Sequence, residues 1–246
     1  MDIIVVHNSF WGLEGKTDGE NKSWAIFREQ MKGLRNVGLT KGATRIISTG
    51  SCCSGAEQNR IRDWLNNNSL SKVEMKNFDV ENSFEYPAFK TIYQEAFNDN
   101  IKHKLDETLF IYFHTKGITT GDKKLRPRLF NYMIKNHKRY TKEFINNPQL
   151  DVASLCPDKK GFGWYNFFWV RASYVKNYWV DPSKYRSLKW KDRYLWEIFN
   201  GCDYATKPEK DIVVWSPATG YDKMDRKIIK DPRVQDKALS GLTDRV

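Results

Sequence analysis

A run of five apolar residues at positions 109–113 constrains the fold of this chain more than any other segment. Its length, with charge before it and glycine after it, is typical of a strand that is buried on both faces of a sheet. The run leads directly into His114, Thr115, Lys116 and Gly117. Ligands of open α/β sheets bind just beyond the carboxyl ends of the strands, so these polar side chains indicate a binding or catalytic site. An ordinary polar turn after a core strand is the alternative interpretation.

Apolar runs alternate with segments of helical periodicity along most of the chain. This pattern predicts strands at residues 3–6, 43–48, 73–78, 109–114 and 152–155, and helices at 24–37, 56–65, 86–97 and 128–145. Ser23 is a candidate cap for the first helix, and Gly38 is a candidate end. Strands that alternate with helices are typical of a mostly parallel sheet with helices on both faces. We therefore predict one α/β domain over residues 1–222, followed by a charged tail over residues 223–246.

The charge of the chain limits the class of partner that it binds. Lys and Arg total 41 and Asp and Glu total 30, so the net charge is +11. A positive field of this size favours an anionic partner, which could be a nucleic acid, an anionic membrane surface or a phosphorylated small molecule. The nine Trp and the aromatic content of 14% suit a core, and they equally suit a cleft that stacks on sugars or bases.

The four cysteines form neither a zinc pattern nor a disulfide framework. The chain has no Cys-x-x-Cys pair, and the adjacent Cys52 and Cys53 are too close for an ordinary bridge. The first residues lack the basic and apolar regions of a signal peptide, and no apolar run reaches the roughly 20 residues of a membrane span. We therefore expect a cytoplasmic protein with no transmembrane segment.

A second informative block occupies residues 161–174, where Asn166 stands among six aromatic residues at positions 162–169. One interpretation is an aromatic floor, with Trp164 and Trp169, that packs on a sugar ring while Asn166 and Arg171 bind hydroxyls or phosphate. The other interpretation is an aromatic core strand whose Asn is hydrogen-bonded. In a regular strand Asn166 and Trp169 point to opposite faces, so a bulge between them is our hypothesis.

A third block, residues 193–201, predicts a short helix that is apolar on most sides. Glu197 lies within its apolar run, and a carboxylate held in such surroundings has a raised pKa that suits a general base. The alternative is an exposed Glu on an amphipathic helix. Asp192 is the nearest competitor for the role of base, but it lies beside Lys191 and Arg193 and is better placed to cap the helix.

Four segments of the chain occur in the order found in a known family. They are residues 27–39 (FREQMKGLRNVGL), 84–88 (FEYPA), 112–117 (YFHTKG) and 166–174 (NFFWVRASY), followed by a helix of the Glu-Trp type. With these segments the chain resembles the glycosyltransferase-like proteins of bacterial polysaccharide clusters and of large algal viruses of the chlorovirus type, where they are linked to capsid glycans. The resemblance implies a single GT-A-like, Rossmann-like domain. It also implies transfer of a hexosyl or pentosyl group from a nucleotide sugar, with a UDP-sugar favoured, to a glycan acceptor.

One departure from the family concerns the metal. GT-A enzymes that depend on a metal usually carry Asp-x-Asp at the end of the central strand, where the carboxylates hold Mn²⁺ or Mg²⁺ against the diphosphate. This chain has His114-Thr115-Lys116 at that place. His114 is a candidate Mn²⁺ ligand, whereas Lys116 would repel a metal and could itself neutralise the diphosphate. Mn²⁺ or Mg²⁺ therefore stays open as a cofactor, and no organic cofactor is expected.

The positions of the strands and the resemblance together assign the candidate site. The expected donor-binding residues lie at the ends of predicted strands and are His7, Asn8, Gly50, Ser51, His114, Thr115, Lys116 and Gly117. The expected sugar- or acceptor-binding residues are Trp164, Asn166, Trp169 and Arg171. Two residues are candidates for catalysis: Lys116 would stabilise the leaving diphosphate, and Glu197 would take the proton of the acceptor hydroxyl.

A non-catalytic module that binds glycans or nucleic acid is the alternative function, because it would use the same positive charge and the same aromatic residues. The sequence has no RNP-like, KH or helix-turn-helix pattern. A surface that binds single strands favours aromatic residues that alternate with Lys and Arg. The aromatic residues of this chain cluster with Gly and Asn instead. The sequence therefore predicts a glycosyltransferase, and we do not expect a nucleic acid as partner.

Overall fold

The strands of this protein form a single sheet in a computed structural model, which describes residues 1–11, 17–41, 45–115, 125–155, 157, 163, 167–185 and 211–217. The strands are β1 (Asp2–Phe10), β2 (Arg45–Ser51), β3 (Val73–Phe78), β4 (Thr108–His114), β5 (Val152–Ser154), β6 (Phe168–Arg171) and β7 (Val214–Trp215). The α-helices are α1 (Thr17–Asn36), α2 (Gly55–Asn67), α3 (Tyr86–Ala96), α4 (Leu125–Phe130), α5 (His137–Asn146) and α6 (Ala172–Tyr178).

The sheet is mostly parallel and has the strand order β3-β2-β1-β4-β6-β5-β7. β6 runs antiparallel to both of its neighbours, and every other pair of neighbouring strands is parallel. The carboxyl ends of six strands therefore lie at one edge, which we call the carboxyl edge, and the opposite edge is the amino edge. The α/β class and the mostly parallel sheet flanked by helices are confirmed.

Helices cover both faces of the sheet and bury it completely at its centre. The core on one face includes side chains of α1, α2, α4 and α5, and the core on the other face includes side chains of α3 and α6. Alternate residues of β4 point to the two faces: Ile111 and Phe113 pack in the first core, and Phe110 and Tyr112 pack in the second. Both faces of β4 are apolar for this reason, which explains the continuous apolar run in its sequence.

Most elements predicted from periodicity are confirmed. β3 has the predicted bounds, and α3 begins at the predicted residue, with Pro87 in its first turn, where a missing backbone N–H costs nothing. Gly38 follows α1 with a φ of +84°, a left-handed conformation that ends helices and favours glycine. β1 and β2 extend further toward the carboxyl edge than predicted, to Phe10 and Ser51.

Two predictions about helices are wrong. Ser23 does not cap α1, because the helix begins at Thr17 and Ser23 is buried within it. The helix predicted over residues 128–145 is divided into α4, a π-helical turn over Asn131–Lys135, and α5. The apolar periodicity continues across this division, so it gives no signal of the break. The predicted tail, residues 223–246, lies outside the described residues.

Candidate functional site

The strand order predicts where a ligand would bind at the carboxyl edge. The chain passes from β1 outward to β2 and β3, and then returns to the other side of β1 to form β4. The helices that follow β1 and β3 accordingly pack on opposite faces of the sheet. In open α/β sheets, ligands bind where the strand order reverses in this way. The candidate site is therefore the crevice between the end of β1 at Phe10 and the end of β4 at His114.

A carboxylate–imidazole pair lies at this crevice. His114 Nδ1 is 3.5 Å from Glu85 Oε1, and the two side chains are 10% and 8% exposed. His114 ends β4, and Glu85 immediately precedes α3. The His114 ring is stacked on that of Tyr112, with the ring centroids 6.0 Å apart. An imidazole held by a carboxylate can present a positive charge to an anionic ligand, or exchange a proton with it.

Glu85 is a site residue that the sequence pattern alone does not reveal. It lies in the segment FEYPA, far from His114 in the sequence. Its one signal is its place after β3, because the residues that follow parallel strands share an edge of the sheet. The contact with His114 depends on how the chain enters α3, and no local pattern encodes that entry.

Asn8 helps to position Glu85 by holding the residue before it. Asn8 Nδ2 donates to the Phe84 carbonyl at 3.1 Å, and Thr49 Oγ1 donates to Asn8 Oδ1 at 2.8 Å. Phe84 has a φ of +53°, which is a strained conformation for a bulky residue. Strain of this kind persists where surrounding contacts enforce it, and it concentrates at functional sites. Asn8 is buried, so it acts as a positioning residue, and its predicted contact with a donor does not fit the structure.

His7 lies inside β1 and does not reach the strand end that was predicted for it. It is fully buried, and its ring centroid is 4.8 Å from that of Phe113. Gln30 Nε2 donates to the His114 carbonyl at 3.0 Å, so Gln30 Oε1 accepts from His7 Nε2 at 2.8 Å. Burial lowers the pKa of His7 to about 4, against the opposing effect of the Gln30 hydrogen bond. His7 is therefore a neutral residue of the core that supports β4, and the predicted donor contact does not fit.

Hydrogen bonds join the ends of β1 and β4 directly. The Thr115 N–H donates to the Asn8 carbonyl, and the Phe10 N–H donates to Thr115 Oγ1, both at 3.1 Å. Thr115 is buried, with 5% of its surface exposed. Its hydroxyl holds the end of β1 to the end of β4 and keeps its own proton for a further hydrogen bond. Thr115 thus lies where the sequence predicts it.

Gly50 and Ser51 lie at the carboxyl end of β2, and both are buried. A Cβ on Gly50 would lie 2.6 Å from ring carbons of Phe78, so glycine is needed there for packing. Ser51 Oγ accepts from the Ser83 N–H at 2.9 Å and holds the segment that leads to α3. Their predicted place at the edge is confirmed, but the structure gives both residues a role in packing and positioning.

Trp169 does not line a sugar site, contrary to its assignment. It lies in the middle of β6 and is fully buried, with its ring stacked on Tyr140 at a centroid distance of 5.2 Å. Its Nε1 donates to the Met133 carbonyl at 3.0 Å. Met133 lies in the π-helical turn, where the helical hydrogen bonds are rearranged. The aromatic core strand, which was the alternative interpretation of this block, describes Trp169 correctly.

Arg171 is also misassigned, because it lies at the amino edge of the sheet. It pairs with Leu109 near the start of β4, at the opposite end of that strand from His114. Its guanidinium donates to four backbone carbonyl groups, which belong to Asp106, Phe144, Asn147 and Leu150. A buried guanidinium whose donors all serve the backbone binds together the chain segments around it. It offers no contact to a ligand at the carboxyl edge.

The remaining predicted site residues lie outside the described residues. They are Lys116, Gly117, Trp164, Asn166 and Glu197. The predicted bulge between Asn166 and Trp169 lies partly outside them as well. The roles assigned to these residues stay predictions.

The described residues contain no group of three or more His, Cys, Asp and Glu side chains that could hold a metal ion. His114 and Glu85 supply one nitrogen and one oxygen ligand, so within this part of the chain the set is incomplete. No helix in the described segments is long and apolar enough to cross a membrane. Comparisons of the chain with protein-family models, with curated proteins and with solved structures found no match.

Proposed function

We propose that this protein is a glycosyltransferase that moves a sugar from a nucleotide-sugar donor, with a UDP-sugar favoured, to a glycan acceptor. The observation that carries the proposal is the Glu85–His114 pair at the crevice between β1 and β4. A ligand in this crevice meets the imidazole at the end of β4, and the sequence continues from there to Lys116. An imidazole N–H and a lysine ammonium both suit a diphosphate, because its negative charge grows as the sugar leaves.

Different residues of the chain are proposed to bind the donor, to position the binding groups and to stabilise the leaving diphosphate. His114, held by Glu85, presents an imidazole to the diphosphate. Asn8 and Thr49 hold the strained backbone that places Glu85. Lys116 is proposed to neutralise the charge that develops on the leaving diphosphate, an effect that is strongest where water is excluded. The net charge of +11 favours capture of an anionic donor.

A divalent metal is compatible with part of this site. An imidazole nitrogen and a carboxylate oxygen suit Mn²⁺, so His114 and Glu85 would be its ligands, and further ligands would come from outside the described residues or from the diphosphate. Such an ion would neutralise the diphosphate in the same way as a cationic side chain. We keep Mn²⁺ or Mg²⁺ as a proposed cofactor that an assay with and without the ion can decide.

The acceptor side of the proposal rests on the sequence alone, that is, on the residue patterns and on the resemblance. Trp164 and Asn166 are proposed to contact the sugar or the acceptor, and Glu197 is proposed as the base that takes the proton of the acceptor hydroxyl. Trp169 and Arg171 are withdrawn from this set because Trp169 lies in the core and Arg171 is buried at the amino edge. We also propose a cytoplasmic location, in a bacterium or in the host of a virus.

A screen for donor hydrolysis tests the proposal. Purified protein is incubated with UDP-, GDP- and dTDP-sugars, with and without Mn²⁺, and the release of nucleoside diphosphate is measured. We expect release from one donor class, and we expect Lys116→Ala to lower its rate by about 10²- to 10³-fold, the usual cost of losing one stabilising contact to a transition state. Lys72→Ala, an exposed change at the amino edge, is the matched control and should keep the rate.

Two results would overturn the proposal. Equal rates for folded Lys116→Ala and the control would remove Lys116 from the mechanism. The absence of both hydrolysis and thermal stabilisation by any nucleoside diphosphate would reject the glycosyltransferase. Stabilisation by glycans or by an oligonucleotide alone would then favour a non-catalytic binding module.

A further inference from the structure

The helices on the two faces of the sheet differ in the charge that they expose. The helices α1, α4 and α5, with the turn between them, expose eight cations: Arg28, Lys32, Arg35, Arg128, Lys135, Lys138, Arg139 and Lys142. Among their described side chains, Glu29 is the one exposed carboxylate. α2, on the same face, exposes Arg60 and Arg62 beside the carboxylate of Asp63. The described side chains of α3 and α6 expose no charged group to a similar extent, since Lys90 and Lys176 are half-buried.

The eight cations form one surface, which we call the basic face. α1 and α4 approach closely, because a Cβ on Gly33 would lie 2.5 Å from the Phe130 ring. Both helices and α5 pack on the same face of the sheet, so their outer sides point in the same direction. α4 lies near the carboxyl end of β4, where Phe130 contacts Phe113. α5 reaches the amino edge, where the Phe144 carbonyl accepts from Arg171. The basic face therefore spans the length of the domain.

α5 combines its cations with an exposed aliphatic side chain. Lys138, Lys142 and Ile145 are spaced by four and three residues and lie along one side of the helix. Ile145 is 57% exposed. The opposite side of α5 carries Tyr140 and Phe144, which are buried in the core. The helix is thus anchored by its apolar side and presents its cations and one isoleucine outward.

We infer that the basic face binds an anionic membrane surface. Lys and Arg side chains close to a bilayer of anionic lipids are attracted to its negative potential, and an exposed aliphatic side chain adds a contact with the headgroup region. Proteins that bind single-stranded nucleic acid usually combine positive charge with exposed aromatic rings on which the bases stack. No aromatic side chain among the described residues of these helices is exposed; Phe130 and Tyr132 are half-buried. The inference does not rest on the proposed enzymatic function.

Sedimentation with lipid vesicles tests the inference on the full chain. Vesicles of phosphatidylcholine are compared with vesicles that also contain phosphatidylglycerol. We expect binding to the anionic vesicles alone, and its loss at high salt. The double variant Lys138→Glu/Lys142→Glu should weaken the binding by at least about tenfold. The control Lys72→Glu/Lys102→Glu makes the same change in net charge away from the basic face and should bind like the wild type.

Further measurements keep the result interpretable. Thermal unfolding shows whether each variant is folded, and Lys138→Gln/Lys142→Gln is a milder substitute if the charge reversal disturbs α5. Donor hydrolysis in solution should be the same for both double variants, which separates this inference from the proposed function. Absence of binding by the wild type, or equal loss in both double variants, would overturn the inference. Tighter binding of a single-stranded oligonucleotide through Lys138 and Lys142 would replace the membrane with nucleic acid.

Discussion

The two edges of the sheet hold their buried charged groups in different ways. At the amino edge, the Glu95 carboxylate accepts hydrogen bonds from Arg45 at 2.7 Å and from Lys76 at 2.6 Å. At the carboxyl edge, the Glu85 carboxylate and the His114 imidazole are 3.5 Å apart. Short charge-assisted hydrogen bonds are strong and hold the Glu95 carboxylate in place, whereas the contact between Glu85 and His114 is longer and weaker.

The pKa values of charged and titratable groups also differ between the amino edge and the carboxyl edge. Burial alone would raise the pKa of Glu95, but Arg45 and Lys76 hold it below its ordinary value, and the hydrogen bond from Arg45 lowers the pKa of Glu74. Toward the carboxyl edge, burial lowers the pKa of His7 to about 4. Buried charges at the amino edge are thus matched by partners that stabilise the fold. Toward the carboxyl edge the chain carries a buried neutral histidine and, at Phe84, strained backbone of the kind that concentrates at functional sites.

The largest effect on stability is expected at the amino edge. Arg171→Met keeps the aliphatic length of the side chain but leaves four backbone carbonyl groups without their donor. We expect the free energy of unfolding to fall by about 3 kcal/mol or more, because buried acceptors without partners are costly. Urea denaturation measures the loss. Nucleotide binding by the folded fraction should be unchanged, and a stability equal to that of the wild type would refute the structural role of Arg171.

The second largest effect on the free energy of unfolding is expected at acidic pH, and it is due to His7. Its imidazole titrates near 6.5 in the unfolded chain and near 4 in the folded protein. Between these values the unfolded chain binds more protons, so the free energy of unfolding falls as the pH falls from about 6.5 to about 4, by about 3 kcal/mol in total. Glu95 and Glu74 have lowered pKa values, so their contributions are lost only at pH values below about 4.5. The two edges therefore lose stability in different pH windows.

Urea denaturation from neutral pH down to pH 4 measures this dependence. His7→Gln keeps a side chain that can donate to Gln30. This variant should lose much less of its free energy of unfolding between pH 6.5 and pH 4 than the wild type does. His103→Gln changes an exposed histidine and should leave the curve as it is in the wild type. A curve for His7→Gln that still falls steeply between pH 6.5 and 5 would show that another group is responsible.

The smallest effects are expected at two residues with left-handed backbone. Cys52, at the carboxyl edge, has a φ of +55°, and Ser69, at the amino edge, has a φ of +58°. Glycine adopts this conformation without steric cost, so Cys52→Gly and Ser69→Gly should each raise the free energy of unfolding by up to about 1 kcal/mol. Only Cys52→Gly is expected to weaken nucleotide binding, because Cys52 lies at the carboxyl edge and Ser69 lies at the amino edge. Equal binding by both variants in a calorimetric titration would argue against functional strain at Cys52.

The sequence predicts those parts of the fold that local patterns encode. The apolar run of β4, the alternation of strands with helices and the glycine after α1 all follow from periodicity and backbone preference, and all are confirmed. The strand order is less accessible, because β6 is an antiparallel strand of four residues and β7 has only two. Segments this short carry too few residues to show a period.

The candidate site was predictable only in its location. His114 and Thr115 lie at the carboxyl edge as the end of a buried strand implies, but the contact of His114 with Glu85 depends on pairing between distant segments. Trp169 and Arg171 were misassigned because residue type alone cannot distinguish a ligand contact from a core contact. Both side chains donate to backbone carbonyl groups. The carbonyl that accepts from Trp169 belongs to Met133, in the π-helical turn between α4 and α5, and the apolar pattern of the sequence gives no sign of this turn.

Calorimetric titration of UDP into the wild type, His114→Asn and His103→Asn tests the central claim most directly, namely that the crevice between β1 and β4 binds a nucleoside diphosphate. His103 is exposed and serves as the matched control. Because hydrogen bonds to charged groups contribute about 1.5–3 kcal/mol, we predict that His114→Asn weakens UDP binding by about tenfold or more. His103→Asn should bind UDP like the wild type. A folded His114→Asn protein with unchanged affinity for UDP would contradict the account.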